Sequence, residues 1–272
     1  MEYNQSECEQ WAFNCFHAEL EKIYFHLQKH CEICKVQEAI QLDFIEPNKD
    51  SRWYTGQLFV ANGTPSERKV SIGQLANQFL WHICWFGKQV WDGRIDKVDI
   101  SDLLHRLHAI DEYNEDFAKS YCQDHDFWDN QDLSYIFAYA TNFIIFHEVG
   151  HIVLKHDPFD KSYNFKPLPD QRKFEEDTDN YSMDAIQVVC KKLGMKEIAY
   201  IGVICAQCLL FFIRKENVDY DHTTHGDPMD RIQRKFSVMD CDLRPYICIV
   251  NEMKSLANRF FFEKYGTESS TT

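Results

Sequence analysis

Residues 143–156 read FIIFHEVGHIVLKH, and no other segment constrains the fold as tightly. The run has helical spacing, so His147 and His151, four residues apart, project about 40° apart on one face, close enough to share a tetrahedral metal ion. Glu148 points to the side, where it can reach a water on such an ion. Phe143, Ile144, Ile145, Phe146, Val149, Ile152, Val153 and Leu154 surround this polar triplet. Burying two imidazoles and a carboxylate there without a partner would cost several kcal/mol. A metal ion supplies the partner. H-E-x-x-H arises by chance in roughly 4% of shuffled chains of this composition, so the pattern needs support elsewhere in the sequence.

That support lies downstream. A hydrolytic zinc site needs a third protein ligand and an open fourth position. Residues 174–185, FEEDTDNYSMDA, offer Glu175, Glu176, Asp177 and Asp179 on a predicted helix, with Glu175 24 residues beyond His151. Glu175 and Asp179 are one helical turn apart, which suits Glu175 as the third ligand and Asp179 as acceptor for the other N–H of a metal-bound histidine. Glu176 is the next choice if the register differs. Without the upstream motif the cluster would read as a solvated acidic helix start, favoured by the macrodipole. His156 is a weaker ligand, since it would sit about 180° round the helix from His147. The three-histidine variant of the motif needs Gly at 154 and His at 157, where this chain has Leu154 and Asp157, and is excluded.

The 272 residues are 44% hydrophobic, enough to bury a core and to exclude disorder. A formal charge of −14 repels phosphate backbones and anionic lipid, which argues against nucleic acid as a partner. The first ten residues carry acid where a signal peptide needs base, with no apolar run after them. The longest uncharged apolar stretch, Ile198 to Ile213, is shorter than the roughly 20 residues of a bilayer-spanning helix and reads as a buried helix. Eleven scattered cysteines are an odd number and point to reduced thiols, hence to the cytoplasm.

A capping box at Ser6 and Glu9 opens a helix that runs to about His30. Apolar alternation at Ile40, Leu42 and Phe44, then Leu58 to Ala61, then Val70 and Ile72 predicts a small antiparallel sheet, with its hairpin turn at Asn62-Gly63 and Pro65. Helical patterns follow at roughly 73–91, 101–120, 132–156, 174–193, 197–215, 229–239 and 243–264, with Gly194 and Gly266 as stops. Residues 157–173 form a polar insert with three prolines, and 266–272 a flexible tail. The expected fold is α+β and mainly helical, with a zincin-like active-site helix and a small N-terminal sheet. One metallopeptidase domain is expected over 1–265: an N-terminal helix, sheet and helix in 1–100, and a helical part with the zinc site in 101–265.

The two motifs together resemble the signature of the gluzincin metallopeptidases, H-E-x-x-H followed on a later helix by E-x-x-A-D, with Thr178 where Ala is usual. Within that group the chain looks most like the Lit-type phage-exclusion peptidases of bacteria. HEVGHIVLKHDP, the EEDTD segment, the apolar IGVICAQCLLFF and THGDPMDRI at 224–232 carry the likeness. It covers about residues 135–235 well and the N-terminal third faintly. The family's last element reads T-H-P with R-I six residues after the His, which His225 and Arg231-Ile232 match, while Gly226 stands where Pro is usual. The resemblance implies one zinc ion per chain and a protein substrate, with elongation factor Tu as the family's characteristic target in abortive phage infection.

On this reading Zn²⁺ sits on His147, His151 and Glu175, and Glu148 is the general base. His225 is the candidate donor to the tetrahedral oxyanion, and Arg231 positions that loop or pairs with an acid. An extended substrate needs a sheet edge, which the hairpin near residues 58–72 would supply. A phage-derived peptide or the 157–173 insert would control access. Rival readings are a regulatory peptidase that cuts a repressor, a catalytically silent metal-binding regulator, and an interaction protein with an accidental motif. Cys31-x-x-Cys34, with His26, His30 and the Cys205-x-x-Cys208 pair, could hold a second metal, but helix packing explains the latter pair better. His105, His108 and the Phe79, Leu80, Ile83, Trp85, Phe86 stripe read as helix surface and core.

Overall fold

The computed structural model describes residues 39–45, 60–112, 130–156, 168–213, 228–238 and 243–265. The expected first helix, Cys31 and Cys34, His225, and the tail lie outside the described residues. The fold is mainly helical α+β, with a three-stranded sheet at its N-terminal end.

The strands are β1 (Gln41–Ile45), β2 (Ala61–Thr64) and β3 (Lys69–Gly73), in the spatial order β1-β3-β2. β2 and β3 are antiparallel as expected, but β1 runs parallel to β3, so the sheet is mixed. A parallel pair needs a connection too long for a hairpin, and residues 46–68 supply it. The turn also differs from expectation. Asn62 and Gly63 lie inside β2, and the chain reverses at Pro65 to Arg68, with Arg68 at φ 49°. Gly63 is in the strand because a helix passes beneath it: a Cβ there would stand 2.5 Å from the backbone oxygen of Glu148.

The helices are α1 (Gln74–Trp91), α2 (Ile100–Glu112), α3 (Gln131–Val153), α4 (Leu168–Leu193), α5 (Lys196–Ile213), α6 (Pro228–Val238) and α7 (Ile247–Tyr265). The α3 helix is apolar on all sides and occupies the centre, packed by α1, α4, α5 and β2. Its N-cap is Asn130, whose side chain accepts the Leu133 N–H at 3.1 Å. At the other end Lys155 takes φ 59°, so the helix stops at Val153 rather than at 156. Gly194, at φ 68°, ends α4 as its sequence position predicts.

Aromatic side chains fix the packing. Trp81 of α1 meets Phe137 of α3 edge-on at 4.9 Å, while Phe79 meets Phe212 of α5 and Phe260 of α7 at 5.5 and 5.7 Å. Cys205 and Cys208 are fully buried in α5, where burial pushes the Cys208 thiol up and keeps it protonated, a poor metal ligand. Among the described residues α3 alone is long and apolar enough to cross a membrane. Within its most apolar window, 78% is buried inside the protein.

Candidate metal centre

The centre forms where α3 crosses α4 in antiparallel fashion. Gly150 permits the approach, since a Cβ on it would come within 3.1 Å of Thr178 Cα and 3.2 Å of its Cγ2. One turn away the Ser182 hydroxyl donates to the Phe143 carbonyl at 2.6 Å and locks the register of the two helices.

At the crossing His147, His151 and Glu175 converge, all buried, with one ligand atom from each within 4.8 Å of the others. Glu175 Oε2 lies 3.3 Å from His147 Nε2, and its Oε1 lies 3.6 Å from His151 Nε2. The imidazole rings stand 5.0 Å apart at 82°. Two ligands of a tetrahedral zinc, each bonded at about 2.05 Å, stand about 3.3 Å apart. The two Glu175 separations are close to that spacing, so these residues fit a small divalent cation.

Asp179 completes the arrangement from behind. His147 Nδ1–H donates to Asp179 Oδ1 at 2.9 Å, which leaves Nε2 as the nitrogen facing Glu175 and His151. Arg231 of α6 grips the same carboxylate twice, Nε to Oδ2 at 2.9 Å and Nη2 to Oδ1 at 2.7 Å. The Gln207 amide of α5 reaches Oδ1 at 3.5 Å. Burial alone would raise the Asp179 pKa, but Arg231 and His147 hold the carboxyl far below the usual range. Burial likewise opposes charge on His147, yet hydrogen bonds to Asp179 and Glu175 outweigh it and lift that pKa to about 10. The pocket demands positive charge at this point.

Thr178 stands where the gluzincin pattern has Ala. Its hydroxyl lies 2.9 Å from the Glu175 carbonyl and 3.1 Å from that of Phe174, and donates back to the preceding turn. Glu176 is half-buried and outside the converging group. His156 is outside it too. The reversal at Lys155 takes it off the helix and lays its ring against Phe174 at 4.1 Å.

Glu148 sits at the border between α3 and the sheet. Its Oε2 accepts the Gly63 N–H of β2 at 2.7 Å, and burial raises its pKa above the ordinary carboxylate value. Neither Gly63 nor Gln207 is singled out by sequence reasoning. Gln207 left a signal, as the one amide in an apolar helix must find a polar partner. Gly63 left none, because an Asn-Gly pair reads first as a turn.

α6 is anchored beside the centre by a second buried cation. Lys235 Nζ donates to Asn180 Oδ1 at 2.7 Å and to the Glu176 carbonyl at 3.1 Å. Residues 107–248 match a family model described as Peptidase U49. That span is just over half of the chain and includes His147, Glu148, His151, Glu175, Asp179 and Arg231. No curated protein and no solved structure matches the chain.

Proposed function

The chain belongs to the Peptidase U49 family, and from that premise we propose that it is a zinc-dependent endopeptidase acting on a protein substrate. The observation that carries the proposal is the meeting of His147, His151 and Glu175 in one buried group, with Asp179 orienting His147 from behind. A divalent ion held by these three side chains would polarise the scissile carbonyl and make a water nucleophilic near neutral pH.

The chain's own groups do the rest. Glu148 takes the proton from the attacking water and passes it to the leaving amine. Its raised pKa suits a group that must both accept and return a proton. The outer edge of β2, an edge strand among the described residues, lies beside Glu148 and offers backbone groups to an extended peptide. His225 is proposed as the donor to the developing oxyanion. Arg231, six residues later in the sequence, is fixed to Asp179 and holds the start of α6.

The likeness to Lit-type peptidases names elongation factor Tu as the first substrate to try and abortive phage infection as the setting, in the bacterial cytoplasm. Such an enzyme must stay silent until triggered, and a phage-derived peptide is the proposed trigger. The test is metal analysis of the purified protein, followed by incubation with bacterial lysate, with and without phage infection, and mapping of new protein termini. One zinc per chain and a discrete cleavage are expected. Glu148→Gln should keep the metal and lose about 10²- to 10⁴-fold in rate, and His225→Ala about 10²- to 10³-fold with metal unchanged. A metal-free wild type, or undiminished cleavage by Glu148→Gln, would overturn the proposal.

A further inference from the structure

The bond between Gly63 and Glu148 has a direction that matters. The Gly73 N–H donates to the Val60 carbonyl at 2.8 Å, so Val60 turns its backbone groups towards β3. Paired residues alternate along an antiparallel ladder, and Asn62 and Thr64 therefore also face β3, opposite Ser71 and Lys69. Ala61 and Gly63 face the other way, out from the edge of the sheet. The Gly63 N–H that points outward is the one that Glu148 Oε2 accepts at 2.7 Å. The backbone of α3 meanwhile lies under the face of the strand, where a Cβ on Gly63 would come within 2.5 Å of the Glu148 carbonyl oxygen. The helix is thus beneath β2, and the Glu148 side chain wraps round to its rim.

That rim is where an extended substrate would pair with β2. Only two described residues of the strand, Ala61 and Gly63, turn backbone groups to it, and the Gly63 amide already has an acceptor. One N–H makes one good hydrogen bond, so a peptide carbonyl and the Glu148 carboxylate compete for it. Building on the peptidase reading, we infer that Gly63 is a positioning residue whose N–H is used in turn. In the resting protein it clasps the Glu148 carboxylate. When a peptide pairs with β2, a substrate carbonyl takes the N–H over, and Oε2 is released towards the scissile bond. A ligand that fails to pair leaves the base clasped, which makes backbone pairing a condition of turnover and not only of binding. The same geometry accounts for glycine at 63: the amide must stand at the rim while its α-carbon rests on the helix.

The test uses the zinc-loaded full chain and a tetra-alanine hydroxamate, a probe that grips the metal and asks nothing of side-chain pockets. Its affinity is measured calorimetrically for wild type, Glu148→Ala and Glu148→Gln. Alanine leaves the Gly63 N–H without its side-chain acceptor, whereas the glutamine carbonyl can still accept it. Glu148→Ala should therefore bind the probe about fivefold tighter than Glu148→Gln, and the difference should vanish when one particular carbonyl of the probe is reduced to methylene. In wild type labelled with ¹⁵N-glycine, the Gly63 amide signal should shift with the intact probe and not with that reduced one. Equal affinities of the two variants with an unmoved Gly63 signal, in a wild type that binds the probe and cleaves protein, would sink the shared amide and leave the peptidase reading standing. A wild type that takes up no zinc and cleaves nothing would sink both.

Discussion

Asp179 is the residue on which the centre turns, because it receives hydrogen bonds from α3, α5 and α6 at once: from His147, Gln207 and Arg231. Asp179→Asn would set an amide N–H₂ against a buried guanidinium or against His147. Metal affinity should fall about 10- to 100-fold, and stability by about 3–5 kcal/mol, since Arg231 loses its charge partner in the interior. Chelator competition and urea unfolding read the two effects, and an unchanged metal affinity would show that Asp179 does not orient His147. The folded pKa of Asp179 lies below its unfolded value, so its contribution is whole above about pH 4 and is lost as the pH falls. His147 runs the other way. Its pKa is raised to about 10, so its contribution to the metal-free protein is whole below about pH 6.5 and fades as the pH rises towards 10. Binding an ion at neutral pH must displace that proton. Affinity for zinc should then climb about tenfold per pH unit between 6 and 8, with one proton released per ion. A flat profile would mean that His147 carries no proton in the metal-free state. At this scale the sequence was informative where spacing alone decides. Four residues put two imidazoles on one face, and four more put Asp179 under Glu175. It was silent on Gly63, 85 residues from the carboxylate it holds, since no periodicity reports such a contact.

The pair of helices that brings these residues together depends on size matching at the crossing of α3 and α4. Gly150 faces Thr178 there so closely that a methyl group would need its neighbour to give by a few tenths of an ångström. Gly150→Ala should drive the helices apart at a cost of about 1–3 kcal/mol and weaken metal binding, because Glu175 rides on the helix that is displaced. Adding Thr178→Ala removes the Cγ2 contact and should restore part of both losses, while the close approach to the Thr178 backbone remains. Strictly additive effects in that double-mutant cycle would mean that the two positions do not share the contact. Element boundaries were legible wherever a local rule operates, as at Gly194 closing α4. They were missed where tertiary structure overrides the local preference. Apolar spacing continues past Val153, but the chain turns at Lys155. Helix α4 starts at Leu168, inside the stretch read as a polar insert, because Pro is tolerated in a first helical turn. Asn62-Gly63 belongs to a strand that must lie on a helix.

Across the whole molecule the centre is assembled from β2, α3, α4, α5 and α6, whose contributing residues run from Gly63 to Arg231. Apolar patterning identifies each of these segments but not which faces meet, and this part of the architecture only the folded chain displays. The assembly has an energetic consequence. The interior holds Asp179, Glu175, Arg231 and Lys235, groups that cost free energy to bury and that offset one another only while α4 and α6 stay together. An ion that fits His147, His151 and Glu175 binds the assembled state and not the unfolded chain, so it stabilises every element that contributes to the centre. At a free zinc concentration 1,000 times the dissociation constant, unfolding should cost about 4 kcal/mol more than in the chelated protein. Hydrogen exchange should slow in α6 as well as in α3 and α4, because Arg231 joins α6 to the carboxylate behind His147. Lys235→Met separates the two kinds of tie: it should cost about 1–3 kcal/mol by leaving Asn180 and the Glu176 carbonyl unserved, yet leave zinc affinity within about twofold, since the hydrogen bonds of Lys235 go to Asn180 and Glu176 and not to His147, Glu175 or Asp179. A zinc-induced slowing of exchange confined to α3 and α4 would show that α6 is docked independently of the metal, and that Arg231 holds Asp179 in place whether or not an ion is bound in front of it.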